Sequence, residues 1–236
     1  MNDTDTAIIE QWLSTLRLPG RPDEYESKQL LKAFGIPVPG AVRFNFGESP
    51  DSLGFEPPYA VKVCSPDIGH KTDANGVALN VSESGLHNVI QDMGCRFPGA
   101  ALLIEEMVFF QGPEFIVGTI VDPDYGTAVM AGAGGILTEL YKDAGFRLAP
   151  CSEPEAMAML DELAIAPVLN GFRGMTLDRL LLARIVCTAG RIALALGDCF
   201  SQLDINPVVF SQNRWIALDA QLILSSTATG TLKQTG

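Results

Sequence analysis

The chain has 236 residues, 47% hydrophobic and 19% charged, and carries 28 Asp and Glu against 16 Lys and Arg for a formal net charge of −12. That length suffices for one large domain or two lobes with a formed core, and the composition is that of a folded globular chain. A balance this acidic excludes nucleic acid as a partner class, since a phosphate backbone demands a basic face. The longest apolar region, Leu180 to Leu196, is interrupted by Arg184 and Arg191, so no uncharged run reaches the length of a membrane span. The acidic, polar start MNDTDTAIIEQ reads as neither a secretory nor a transit sequence, and a cytoplasmic protein without membrane contact is expected. Five cysteines stand far apart without C-x-x-C spacing, which argues against a disulfide framework or a zinc site.

In chain order, Ile8, Ile9, Trp12, Leu13 and Leu16 make residues 1–20 a short amphipathic piece, read as a docking extension that ends at Pro19-Gly20. Leu30, Leu31 and Phe34 keep helical spacing from Glu24 onward, with Gly35 as the stop. Pro37 and Pro39 hold the chain extended into a strand at 41–46. In YAVKV, alternation puts Tyr59, Val61 and Val63 on one face and Lys62 on the other. The polar loop SPDIGHKTDANG leads to the strand VALNV, and Ser82 then caps a helix carrying Leu86, Val89, Ile90 and Met93 on one face. Strands follow at 101–108 and 114–121, joined by FFQGP. Ser152 and Glu155 have capping-box spacing and open a helix to about Leu163, and Thr176 opens a longer one closed by Gly197. Two strands, SQLDINPVVF and RWIALDA, precede a polar tail expected to fray. Irregular alternation with frequent hairpins predicts an α+β fold rather than a doubly wound parallel sheet.

Several constellations carry chemistry. VMAGAGGILTELYKDAGFRLAP, Val129 to Pro150, packs Gly132, Gly134 and Gly135 into four positions, then sets Glu139, Lys142, Asp143 and Arg147 in an apolar run. Glycine lets backbone N–H groups approach a phosphate, and charges of both signs in such a setting suggest a cleft lining; a tight hairpin with an ion pair is the plainer alternative. In the last hairpin, a polar loop from Ser211 to Arg214 pairs Phe210 with Trp215, and counting back sets Asn206 opposite Asp219 with Asp204 on the same face. Three oxygen donors there suit Mg²⁺; the alternative is an Asx-type turn with solvated acids, and Pro207 confines its strand to an edge or an irregular pairing. Lys62 could clamp a phosphate or snorkel to the surface. Glu105, Glu106 and the main chain near Val108 could read an adenine edge and Glu114 ribose hydroxyls, although single glutamates of this kind are ordinarily exposed strand residues. His70, beside Lys71 in a Gly-containing loop, could accept a phosphoryl group or be a plain surface histidine. His87, on the polar side of its helix, receives no role.

ESKQLLKAFGIPVP, YAVKVCSPDIGHKTDANGV, LLIEEMV with GPEFIVG, MAGAGGILTELYKDAGFRLAP, and LDINPVV followed by ALDA stand in one order from about residue 24 to 222. In that set the chain resembles the ATP-grasp β subunits of ADP-forming acyl-CoA synthetases, such as ADP-forming acetate–CoA ligase. The resemblance implies an ATP-grasp fold of two lobes with Mg-ATP between them. Its divisions would be an extension at 1–22, a small lobe and hinge at 23–108, a large lobe at 109–225 and a flexible tail at 226–236. It implies the overall reaction ATP + organic acid + CoA ⇌ ADP + phosphate + acyl-CoA. Lys62 then matches the phosphate-binding lysine, Glu105, Glu106 and Val108 the adenine hinge, Glu114 the ribose-binding glutamate, and Gly134 and Gly135 the phosphate region. Asn206 and Asp219 match the magnesium ligands, with Asp204 beside them. His70 matches a loop histidine that relays phosphate to a histidine on a partner, and with Lys71 and Arg147 it makes up the expected catalytic set. The resemblance does not extend to the Rossmann CoA-binding domain and second catalytic-histidine domain, which the family carries on an α subunit or in a longer fused chain and which are expected on a partner here. A hetero-oligomer is therefore expected, with the CoA and organic-acid sites mainly on the α partner. Asn75-Gly76 replaces the family's usual pair of glycines, and FRGMTLD at 172–178 is shorter than its usual linker. A stand-alone ATP-grasp carboxylate–amine ligase and a non-catalytic nucleotide-sensing subunit are the alternatives.

Overall fold

The computed structural model describes residues 3–18, 20–48, 52–68, 71, 74–135 and 142–225. The elements run α1 (Asp3–Thr15), α2 (Glu24–Ala33), β1 (Ala41–Asn45), β2 (Tyr59–Cys64), β3 (Val77–Val81), α3 (Glu83–Arg96) and β4 (Ala101–Glu106). They continue with β5 (Phe115–Asp122), β6 (Gly126–Ala133), β7 (Ala144–Leu148), α4 (Glu153–Asp161), α5 (Ala166–Leu169), α6 (Arg179–Leu196), β8 (Phe200–Ser211), β9 (Arg214–Ala217) and β10 (Ala220–Leu224). This is the expected α+β class, helices with two antiparallel sheets. Two compact units result, one of Asp23–Tyr25 and Pro39–Phe109, the other of Met1–Pro22, Glu26–Val38 and Phe110–Gly236.

In the smaller unit an antiparallel sheet of order β1-β4-β2-β3 is backed by α3. Tyr59, Val61, Leu102, Ile104 and Phe44 bury one face of that sheet with Met93 of the helix. Ser82 accepts the Gly85 N–H at 3.2 Å as the α3 cap. Cys64, Ala101 and Leu103 are buried on the other face with Tyr25 packed against them. With both faces covered, β2 is buried at every position, Lys62 included. The same burial pushes the Cys64 thiol up to about 12.

The larger unit is built on an antiparallel sheet of order β10-β8-β5-β6-β7, with β9 added along β8. Leu182, Val186, Ala189, Ile192 and Ala193 of α6 share a core with Val117, Val129, Ala131, Leu203 and Ile205 of the sheet. The Asp178 carboxylate caps α6 by accepting the Leu181 N–H at 3.0 Å, so the helix starts at Arg179 rather than at Thr176. Among the described residues it is the one helix long and apolar enough to cross a membrane, and half of its most apolar window is buried; core packing accounts for that composition. The capping box of Ser152 and Glu155 forms as expected, and α4 ends at Asp161. The expected strand RWIALDA is split, with β9 ending at Ala217 and β10 beginning at Ala220, and β10 adds Ala220, Leu222 and Leu224 to the core.

The N-terminal segments are integral to this larger core. Ile9 and Trp12 of α1 are buried in it, Trp12 Nε1 donates to the Glu26 carbonyl at 2.8 Å, and Arg191 pairs with Asp5 at 2.7 Å. Leu30, Leu31 and Ile36 join the same core, and Lys28, 1% exposed, donates to the Leu218 carbonyl at 2.5 Å. These contacts group residues 26–38 with the larger unit, whereas the sequence reading drew a continuous small lobe over 23–108.

Candidate functional site

The last hairpin turns through Gln212 and Asn213, whose φ values of 50° and 60° suit a two-residue turn that follows the twist of the strands. The loop is thus two residues, with Ser211 and Arg214 already paired, and Phe210↔Trp215 and Val208↔Ala217 follow in register. The same count sets Asn206 opposite Asp219, and the Asn206 N–H donates to the Asp219 carbonyl at 3.2 Å. Asp204 is paired to Gly118 on one side and Gln221 on the other. The pairing of β5 with β8 shifts by one residue between Phe115↔Val208 and Val117↔Ile205, which accommodates Asn206 and Pro207 as an irregularity in an interior strand. Trp215, 1% exposed, fixes the hairpin: its ring meets Phe115 and Phe210 edge-on at 5.3 and 5.1 Å, and Nε1 donates to the Asp178 carbonyl at 2.7 Å.

Burial first, and the neighbouring Asp219 second, raise the Asp204 carboxyl above the usual carboxylate range. A carboxylate disfavoured by burial and by a neighbouring acid is a setting that a cation relieves. Asp204, Asp219 and Asn206 supply hard oxygen donors only, the chemistry of a Mg²⁺ site that leaves further positions to water and phosphate oxygens. Among the described residues no cluster of three or more His, Cys, Asp or Glu could hold a metal alone.

At the other end of β5, the Gly134 N–H donates to the Glu114 carbonyl at 2.7 Å, which extends the β5–β6 ladder by one pair. A Cβ on Gly134 would lie 2.9 Å from the Glu114 and Phe115 carbonyl carbons, and one on Gly135, at φ +62°, would lie 2.7 Å from Glu114 Oε2. Close backbone approach thus requires Gly134, while Gly135 is favoured by its positive φ and leaves room for the Glu114 carboxylate against the turn. Arg147 is placed elsewhere. It pairs with Val129 across β6–β7 while its neighbour Phe146 pairs with Met130, in the row that continues through Gly118 to Asp204. Alternation thus sets Arg147 on the opposite sheet face from Asp204, where it binds Glu162 at 2.5 Å. Asp143 accepts the N–H groups of Ala164 and Ile165 at 2.7 and 2.9 Å. Asp143 and Arg147 thus hold turns and helices in place, Lys142 is exposed, and Glu139 lies outside the described residues.

In the smaller unit, Lys62 does not snorkel. Its Nζ lies 2.8 Å from Glu24 Oε1 and 2.8 Å from Glu105 Oε2, with both carboxylates buried. The second oxygen of Glu24 takes Lys71 at 2.6 Å. The structure therefore turns the Glu105 side chain to Lys62, while Glu106 is exposed at the end of β4. The Glu106 and Met107 N–H groups donate to the Gly40 and Pro58 carbonyls at 2.9 and 3.3 Å, so Val108 is the first position past these sheet contacts. His70 lies outside the described residues. Glu24 is the member that the sequence reading missed. Acids opening a helix ordinarily face solvent and the helix dipole, and its partner Lys62 is 38 residues away, so local pattern carries no sign of the pair.

The sequence model of the ATP-grasp domain matches residues 20–224. Over 218 residues the chain is 37% identical to subunit beta of ADP-forming acetate–CoA ligase I from Pyrococcus furiosus, a match over 85% of this chain and 90% of that subunit. It is 33% identical over 229 residues to ADP-forming acetate–CoA ligase I of Archaeoglobus fulgidus, over 92% of this chain and 32% of that longer one. Among solved structures, the dinucleotide-forming acetyl-coenzyme A synthetase 1 of Ca. Korarchaeum cryptofilum matches with a TM-score of 0.76 and 30% identity, over 94% of this chain and 100% of that one. That structure is a complex with coenzyme A and Mg-AMPPCP, its phosphohistidine segment pointing towards the nucleotide-binding site.

Proposed function

This chain belongs to the ATP-grasp family, beside the β subunits of ADP-forming acetate–CoA ligases, and from that premise we propose that it is the nucleotide-handling β subunit of an ADP-forming acyl-CoA synthetase. The observation that carries the reading is the convergence of Asp204, Asn206 and Asp219 on one hairpin, with the Asp204 carboxyl raised in part by Asp219. Mg²⁺ held there would offset charge on the transferring phosphoryl group. In this reading Lys62, directed by Glu24 and Glu105, takes a phosphate oxygen of the nucleotide. Glu106 and the main chain at Val108 meet the adenine, Glu114 accepts from the ribose hydroxyls, and the bare backbone of Gly134 and Gly135 admits the phosphates closely.

A ring nitrogen of His70 attacks the γ-phosphorus of ATP, so that an N–P bond forms as the P–O bond to ADP breaks, and the phosphoryl group then passes to a histidine of an α subunit. That α subunit holds the organic-acid site and most of the CoA site, and the assembly is a cytoplasmic hetero-oligomer. The Pyrococcus relative's description as a subunit and the larger unmatched part of the Archaeoglobus chain support such a partner. Calorimetric titration with Mg-ADP tests the site. Lys62→Ala and Asp219→Ala should each weaken binding about tenfold or more, the loss of one hydrogen bond to a charged group, whereas His70→Asn should bind as the wild type does. Affinity unchanged in both Lys62→Ala and Asp219→Ala would refute the reading.

A further inference from the structure

We propose that Glu24 is a positioning residue of this site, one carboxylate shared by Lys62 and Lys71 that sets the phosphate-binding lysine and the anchor of the relay histidine together. The inference rests on the nucleotide reading above and assigns a role to a residue outside that reading's phosphoryl-transfer steps. Among the described residues, four charged groups form an alternating chain in which Glu105 meets Lys62 at 2.8 Å, Lys62 meets Glu24 at 2.8 Å, and Glu24 meets Lys71 at 2.6 Å. Two carboxylates and two ammonium groups cancel in charge, which suits a cluster whose side chains are 2–11% exposed. Glu24 has each oxygen committed to a different lysine, so the plane of its carboxylate is fixed from both sides.

Lys71 is held at its main chain as well. The Gly76 N–H donates to the Lys71 carbonyl at 2.6 Å, and the Val63 N–H of β2 donates to the Gly76 carbonyl at 2.8 Å. The residue that follows His70 is therefore tied to β2 through its carbonyl and to Lys62 through Glu24. A phosphate arriving at Lys62 meets an ammonium already directed by two carboxylates, and one of the two also holds Lys71, the residue next to His70 in sequence. Removing the charge of Glu24 releases Lys71 while leaving Lys62 more positive towards an anion, so affinity and transfer should move in opposite senses.

The test is Glu24→Gln in the full chain, read by Mg-ADP affinity, by exchange of labelled ADP into ATP, and by mass-spectrometric acylation of Lys71 with an amine-reactive ester. Mg-ADP should bind no more weakly than to the wild type, exchange should fall about tenfold or more, and Lys71 acylation should rise about tenfold, the loss of one charged hydrogen bond. Lys71→Gln, which keeps the Lys62–Glu24 pair, should lose exchange with unchanged Mg-ADP affinity, and it serves if Glu24→Gln does not fold. Exchange and Lys71 acylation in Glu24→Gln within about twofold of the wild type, the size of an ordinary surface substitution, would overturn the proposal, as would full exchange by Lys71→Gln. A wild-type chain that binds no Mg-ADP would instead sink the nucleotide reading, which separates the two failures.

Discussion

Replacing Lys62 by methionine probes the buried charges of the smaller unit. Lys62 is 7% exposed, and Glu24 and Glu105, each 2.8 Å from its Nζ, are 6% and 1% exposed. Methionine keeps a long flexible stem of similar size, so packing around Val61 and Val63 changes little and the cavity cost is small. What is lost is the cation between two carboxylates, and breaking a buried pair from one side costs about 3–5 kcal/mol. Lys71 continues to offset charge on Glu24 at 2.6 Å, which places the expected loss at the lower end, about 3 kcal/mol. Urea unfolding at neutral pH reads it as a fall in midpoint with the slope retained. Adding Glu105→Gln to Lys62→Met removes the carboxylate that lost its cation and should restore about 1–2 kcal/mol, a coupling expected of residues in contact. A single variant within about 0.5 kcal/mol of the wild type, the range of surface substitutions, would refute the account of Lys62 as the centre of a buried ion cluster.

Three further outcomes are expected. Asp204→Asn should raise the melting temperature in EDTA, because burial and Asp219 both oppose the ionised form, and Mg²⁺ should stabilise the variant less than the wild type; a lower melting temperature in EDTA would contradict this. Arg147→Ala, on the sheet face away from Asp204, should leave Mg-ADP affinity within about twofold, and calorimetry showing a tenfold loss would return Arg147 to the site. The Ser152 side chain, then its backbone, lower the Glu155 carboxyl below its ordinary 4.5, so this interaction's stabilisation is present above 4.5 and lost as pH falls through the folded value. The stability deficit of Ser152→Ala should accordingly shrink as thermal melts are taken from neutral pH to below that value, and a constant deficit would contradict the pairing.

The hairpin was legible because four polar residues between apolar strands fix a register, and Asn206 opposite Asp219 follows by counting from Phe210 and Trp215. The caps at Ser82 and Ser152 were legible for the same local reason, an oxygen ahead of a helical pattern. Long-range pairings were not. Glu24 finds Lys62 and Lys71 across 38 and 47 residues, and α2 takes its neighbours from the larger core through Leu30 and Leu31. The strand β7 reads inside out: Phe146 and Leu148, each 55% exposed, look like core positions, while Arg147 between them turns to the helix-covered face. That inversion is why the charged run after Gly135 suggested a cleft where the structure holds Arg147 against Glu162 and Asp143 against the 164–165 turn.

The central claim is phosphoryl capture by His70, and isotope exchange from labelled ADP into ATP by the purified chain with Mg²⁺, run beside His70→Asn, tests it most directly. Label should enter ATP with the wild-type chain and not with His70→Asn, while both bind Mg-ADP equally. Equal exchange by the two proteins, or none by a wild-type chain that binds Mg-ADP, would contradict it.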